Sequence, residues 1–158
     1  MNNREFVFNH ESKENVDYSN TRRSIYLPVI RNHLHPVFAL FDYSDASVLN
    51  GDRQTSTVPT QALFLMNSPF IDEQTTNLAK NIVEGEPDIG KRINLLYETS
   101  YGRLPTDTEL ARISSFLEQF PDVWRSEHPE ASSTEVELAA WQALCHATLA
   151  ANEFTYLR

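Results

Sequence analysis

From Pro59 onward, apolar side chains recur at helical spacing, and each apolar stretch is bounded by residues suited to helix ends. Pro59 or Thr60 opens a short helix through Gln61-Ala62-Leu63-Phe64-Leu65-Met66. Asn67-Ser68-Pro69 then resets the chain, with Ser68 as N-cap and Pro69 at the first helical position. Ile71, Thr75, Leu78, Ala79 and Ile82 predict one buried face of a second helix, which Gly85 stops. A third helix starts at Asp88, carries Ile89, Ile93, Leu96 and Tyr97 on one face, and ends at Gly102, because Pro105 forbids continuation. In the fourth, Thr106 stands three residues before Glu109, a capping-box spacing, and Leu110, Ile113, Leu117 and Phe120 precede a stop at Pro121. The fifth runs from about Ser133 to Ala151, with Val136, Ala140, Leu144 and Leu149 in a stripe beside Trp141. Short connections make these helices antiparallel neighbours. Phe64, Ile93, Leu96, Ile113, Leu117, Trp141 and Leu144 are expected to share one core.

The front of the chain lacks this regularity. Residues 1–21 show no sustained period around Phe6-Val7-Phe8 and read as a flexible leader. In residues 22–31 the β-branched and aromatic side chains suggest a short strand or extended segment, and Pro28 argues against a central strand. Residues 32–58 read as a long irregular connection with two apolar patches, at Val37–Phe41 and Val48-Leu49. The expected fold is therefore mainly α: about five helices in a compact bundle, preceded by a long irregular region with at most a short strand. In domain terms, a leader (1–21) precedes one helical domain (22–158), irregular to residue 58 and helical beyond it.

At 158 residues the chain is long enough to bury a core without staples, and its single cysteine, Cys145, excludes an internal disulfide. Net charge is −9. Residues 1–60 hold six basic and seven acidic side chains, which leaves seven and fifteen to the rest, so the acidity belongs to the helical part. An acidic surface repels phosphate backbones, which argues against nucleic acid as a partner. No apolar run is long enough for membrane insertion, and the first residues lack the apolar core of a signal peptide.

Candidate chemistry is sparse. Arg22, Arg23, Arg31 and Arg53 flank Asp42, Asp45 and Asp52 in the irregular region, and guanidinium forks suit carboxylates or sulfates. Two readings follow: a cradle for an anionic ligand, or ion pairs that pin the loop. His33 and His35 could be imagined with Asp42 and Asp45 as a metal site, but a proline follows His35 and no third histidine is close, so no metal and no cofactor is expected. Cys145 and His146 are adjacent on a helix, which sends their side chains about 100° apart and disfavours a thiolate-imidazole dyad. Cys145 is expected in the core. Asp72-Glu73 and the pair Glu135 and Glu137 lie at helix starts, where they complement the positive end of the helix dipole. Phosphate loops, nucleophile elbows and haem attachment motifs are missing from the sequence.

Several spaced segments together resemble a known family. Arg22-Arg23-Ser24-Ile25-Tyr26, Phe41-Asp42, Arg53 and the run Thr57-x-Pro59-x-Gln61-Ala62-Leu63-x-Leu65-x-Asn67 are similar to the C-terminal part of the planctomycete domain of unknown function numbered fifteen-fifty-three, planctomycete-specific domain one. Leu96-Tyr97, Tyr101–Thr106 with Glu109, and Leu144–His146 through Asn152–Tyr156 resemble its closing stretch, so the likeness covers about residues 22–158. The resemblance implies a large exported or cell-surface protein in which this domain follows another domain of unknown function and often a haem module. The present chain shows no haem motif, upstream half or signal peptide, and so looks like a truncated or split member. At His33 and His35 the family tends to show other residues.

Two functions are consistent with these features. In the first, a non-catalytic helical interaction domain closes a multidomain protein, and its partner is a separate chain or domain that supplies the upstream half. In the second, a fragment of an extracellular polysaccharide-binding or polysaccharide-degrading protein uses Arg22, Arg23, Arg31 and Arg53 to hold acidic sugar groups, with Asp42 as its one nominated carboxylate. An exposed apolar patch would favour docking, whereas a groove floored by Tyr26 or Tyr43 would favour sugar.

Overall fold

The computed structural model describes residues 24–26, 36–41, 43 and 59–156. The chain divides into two units, Met1–Gln61 and Ala62–Arg158.

In the first unit, Ser24–Tyr26 form a 3-10 turn rather than the expected strand or extended segment, with Ile25 and Tyr26 exposed. No strand occurs among the described residues. Among the described residues a strand here would find no ladder partner. The apolar patch expected inside an irregular connection forms a short helix, α1 (Pro36–Leu40), with proline at its first position. Tyr43 folds back on it, donating its backbone N–H to the Phe38 carbonyl at 2.9 Å and stacking its ring on Phe38 at 5.3 Å. Buried Gln61 donates from Nε2 to the Leu40 carbonyl at 2.8 Å.

The helices that follow are α2 (Pro59–Asn67), α3 (Pro69–Gly85), α4 (Ile89–Tyr101), α5 (Asp107–Glu127), α6 (Ser133–Leu149) and the single turn α7 (Asn152–Thr155). From Ala62 on they belong to the second unit. Their caps are those the sequence indicates. Ser68 accepts from the Phe70 N–H, Asp88 accepts from the Lys91 N–H, and Thr106 with Glu109 completes a capping box. A second box, Ser132 with Glu135, opens α6. Gly102 ends α4 at φ 68°, in the left-handed region where a side chain is disfavoured.

The helices bury complementary stripes. Ile71, Thr75, Ala79 and Ile82 of α3 face Val136, Ala140, Trp141, Leu144 and Cys145 of α6, the most extensive pair in the unit. The small side chains of Thr75, Ala79 and Ala140 permit close approach, because interaxial distance follows side-chain size at the contact. Ile93, Leu96 and Tyr97 of α4 and Ile113 of α5 complete one core with Ala79, Ile82, Trp141, Leu144 and Cys145, and Leu117 packs on its margin. Phe64 is half-buried and does not join that cluster. Ile89 and Leu110 are exposed, not core, because the buried faces of α4 and α5 begin at Arg92 and Ile113.

Helix α5 also differs from expectation: it continues through Pro121 to Glu127. Proline removes one backbone donor and crowds the preceding turn. Aromatic side chains four residues apart run along one face across that point. Phe116 to Phe120 is 5.4 Å between ring centres, Phe120 to Trp124 is 5.5 Å, and Trp124 to His128 is 4.1 Å with the rings nearly parallel. This ladder supports the helix beyond its interruption.

Candidate functional site

Arg22, Arg23, Arg31, Asp42 and Arg53 all lie outside the described residues, as do His33 and His35. The polar clusters that the second unit assembles are different ones, around Arg103, Arg92 and the α2–α3 elbow.

Arg103 follows the αL glycine that closes α4, and this abrupt stop aims its side chain back across the helix end. Its guanidinium grips Glu109 in a fork, Nη1 to Oε2 at 2.9 Å and Nη2 to Oε1 at 2.8 Å. The same group holds Glu153 of α7 through Nε at 2.6 Å and Nη2 at 2.8 Å, and donates to the Leu104 carbonyl at 3.0 Å. Tyr97 and Tyr101 lie beneath it, with the guanidinium carbon 5.3 and 5.5 Å from their ring centres. Tyr101 donates its hydroxyl to the Thr148 carbonyl at 3.1 Å.

The electrostatics follow from these bonds. The Arg103 fork, helped by the Thr106 backbone N–H, lowers the Glu109 carboxyl to about 2. Glu109 and then Glu153 raise the Arg103 guanidinium, so it is charged at every accessible pH. Burial raises the Tyr97 phenol, with Glu109 adding to the effect, and burial followed by Tyr97 raises that of Tyr101. A carboxylate held this low is a poor general acid, and a raised phenol is a poor base. With Arg103 engaged at Nε, Nη1 and Nη2, the cluster is a structural knot.

Arg92 is buried and serves the C-terminus of α3. It donates from Nη2 to the Val83 carbonyl at 2.9 Å and from Nε to the Glu86 carbonyl. Its Nη1 pairs with Glu137 of α6 at 2.6 Å, and Trp141 lies 5.7 Å away beneath the guanidinium. The late carbonyls of a helix need donors from outside it, and Arg92 supplies two. Glu137 thus takes an arginine rather than only the helix dipole, and Glu135 closes a capping box with Ser132. Asp72 accepts from Gln142 Nε2 at 2.8 Å, a second polar tie between α3 and α6. Cys145 is fully buried, and burial pushes its thiol up to about 12.

At the α2–α3 elbow the backbone turns at Ser68 (φ −74°, ψ 129°), the extended conformation favoured before a proline. Ser68 donates its N–H to Phe64, its side chain receives the Phe70 N–H, and Asn67 Nδ2 donates to the Leu63 carbonyl at 3.1 Å. Leu65 is buried, and its carbonyl lies 2.9 Å from His146 Nε2 of α6. Leu63, Met66 and Phe70 are 57%, 60% and 56% exposed. The run Gln61-Ala62-Leu63-x-Leu65-x-Asn67 thus has a physical account: Gln61 and Leu65 are buried anchors, Asn67 caps, and Leu63 faces water.

The family model described as PSD1, protein of unknown function (DUF1553), matches residues 2–117. The chain belongs to this family. Its matched stretch includes the elbow, Arg92, Arg103 and Glu109; it begins within the segment read as a leader and ends inside α5, before His146 and Glu153. No curated protein and no solved structure matches the chain.

Sequence reasoning missed Arg92, Arg103 and His146 as organising residues. For Arg103 a signal existed, since it stands between a helix-stopping glycine and a capping-box glutamate. For His146 only half did: Pro69 announces a carbonyl without its usual donor, but nothing local names the replacement. Among the described residues, no group of His, Cys, Asp and Glu could hold a metal ion, and no helix is long and apolar enough to cross a membrane.

Proposed function

We propose that the chain is a non-catalytic helical docking module, the closing part of a multidomain protein. It associates through the α2–α3 elbow with a neighbouring domain or chain that supplies the upstream part of the family domain. The observation that carries this reading is the exposure of Leu63, Met66 and Phe70 within eight residues, beside a backbone whose polar groups are tied down. Large apolar side chains held outward on an anchored backbone are what an interface core needs. The charged clusters of the second unit are consistent with it, since Arg103 and Arg92 are spent on internal carboxylates and carbonyls.

The acidic-polysaccharide reading keeps the arginines of the front segment as its basis. Of the two tyrosines named as a sugar-stacking floor, Tyr43 has one ring face covered by Phe38 and Tyr26 is exposed. Docking is preferred on the exposure of Leu63, Met66 and Phe70.

Co-expression of the full chain with a polypeptide carrying the upstream part of the family domain tests the proposal. A complex stable in size-exclusion chromatography is expected, weakened at least about tenfold by the double variant Met66→Glu, Phe70→Glu, because apolar anchors at an interface centre dominate affinity. The helical circular dichroism of that variant should match wild type. A complex indifferent to both substitutions, or retention on an acidic polysaccharide in place of a complex, overturns it.

A further inference from the structure

Pro69 creates a specific deficit. In an uninterrupted helix the Leu65 carbonyl would accept from the N–H of residue 69, and proline has none. The extended backbone at Ser68 also turns the next donor away, and the Phe70 N–H is used on the Ser68 hydroxyl. Leu65 is buried and its carbonyl is part-buried, which favours a donor from within the fold. That donor is His146 Nε2, at 2.9 Å and eighty-one positions along the chain.

We infer that His146 is the positioning residue of the α2–α3 elbow: its Nε2–H replaces the N–H that Pro69 lacks, and so fixes the end of α2 that holds Leu63 and Met66 outward. A carbonyl can only accept, so the bond requires a proton on Nε2. The bond is a lever because α6 is anchored on both sides of His146 by buried Leu144, Cys145, Thr148 and Leu149. Neighbouring Cys145 enters the core while His146, one position on, points to the elbow; their adjacency is packing geometry, not a catalytic pair. The consequence for docking rests on the function proposed above, whereas the positioning role does not.

Amide hydrogen exchange on the full chain, comparing His146→Leu with His146→Gln, tests the role. Glutamine places an amide donor at the same number of bonds from the backbone, and leucine fills space without a donor. In His146→Leu the amides of Phe64 to Ser68 should exchange about two- to tenfold faster, the effect of one lost hydrogen bond on local opening, while those of Ile93 and Leu96 keep their wild-type rates. His146→Gln should recover most of the difference. Equal acceleration in both variants, an unchanged elbow, or loss of protection throughout α4 overturns the inference. Nitrogen-15 shifts of the imidazole in the unaltered protein at pH 8 give an independent readout: an Nε2–H ring is expected, and an Nδ1–H ring refutes the bond whatever the variants do. If exchange behaves as expected but complex formation ignores His146→Leu, positioning stands and the docking consequence fails.

Discussion

Arg103 and Glu153 are fifty positions apart, and two hydrogen bonds of 2.6 and 2.8 Å join them at the end of the bundle. Through this pair α7 is tied to the turn between α4 and α5, where the same guanidinium closes on Glu109. A planar fork is needed, since two carboxylates and a carbonyl converge on one side chain. Arg103→Ala should lower the thermal midpoint, and Arg103→Lys should recover little of the loss, because an ammonium cannot serve two carboxylates bidentately. Equal midpoints for wild type and Arg103→Lys in a thermal melt would show that charge alone suffices.

The Glu109 carboxyl lies at about 2 in the folded chain against an ordinary value of 4.5, held down first by Arg103 and then by the Thr106 backbone. A depressed carboxyl favours the folded state above its unfolded value, and that contribution is lost as pH falls toward the folded one. Stability should therefore decline as pH drops from about 5 to 2. Glu135, lowered by Ser132, contributes with the same sign. In Glu109→Gln the decline should be shallower, measured as thermal midpoints across a pH series; an identical slope would assign the acid sensitivity elsewhere.

Leu96 is fully buried in the shared core, whereas Leu95 is 40% exposed one position earlier. Leu96→Ala should cost about 2–5 kcal/mol through lost burial and the cavity left behind. Leu95→Ala should cost about 0.5 kcal/mol, as substitutions outside the core do. Urea unfolding midpoints distinguish the two, and similar losses at both positions would contradict the assignment of faces.

Gly102 sits at φ 68°, and a Cβ added there would meet no atom within 4 Å beyond its own chain neighbours. The cost of Gly102→Ala is therefore backbone strain alone, about 1–2 kcal/mol. Gly102→Asn should cost less, since asparagine tolerates the left-handed region. Chemical denaturation of both variants checks the order; a larger loss for asparagine would indicate crowding.

Cys145 is the single thiol of the chain, and burial pushes it up to about 12. Because the thiolate is the reactive form, the folded protein should resist a disulfide reagent at pH 8, and one equivalent should react after denaturation in guanidinium. Rapid labelling of the folded chain would place the thiol outside the core.

The sequence by itself determined the helices from Pro59 to Leu149 almost to their caps, since Ser68-Pro69, Asp88, Gly102 and the Thr106–Glu109 box act within one turn of themselves. It also determined most of the core, because a 3.6-residue period assigns Ile93, Leu96, Ile113, Trp141 and Leu144 to buried faces before any neighbour is known. Where a local rule misled, as at Pro121, a ladder of side chains reaching from Phe116 to His128 outweighed one missing backbone donor. Only the tertiary structure decided the partners of Arg92, Arg103 and His146, which lie 45, 50 and 81 positions from Glu137, Glu153 and Leu65. A polar side chain carries no period that names its partner. Which carboxylate or carbonyl it meets depends on how the apolar stripes bring the helices together, and that is settled only once they have packed.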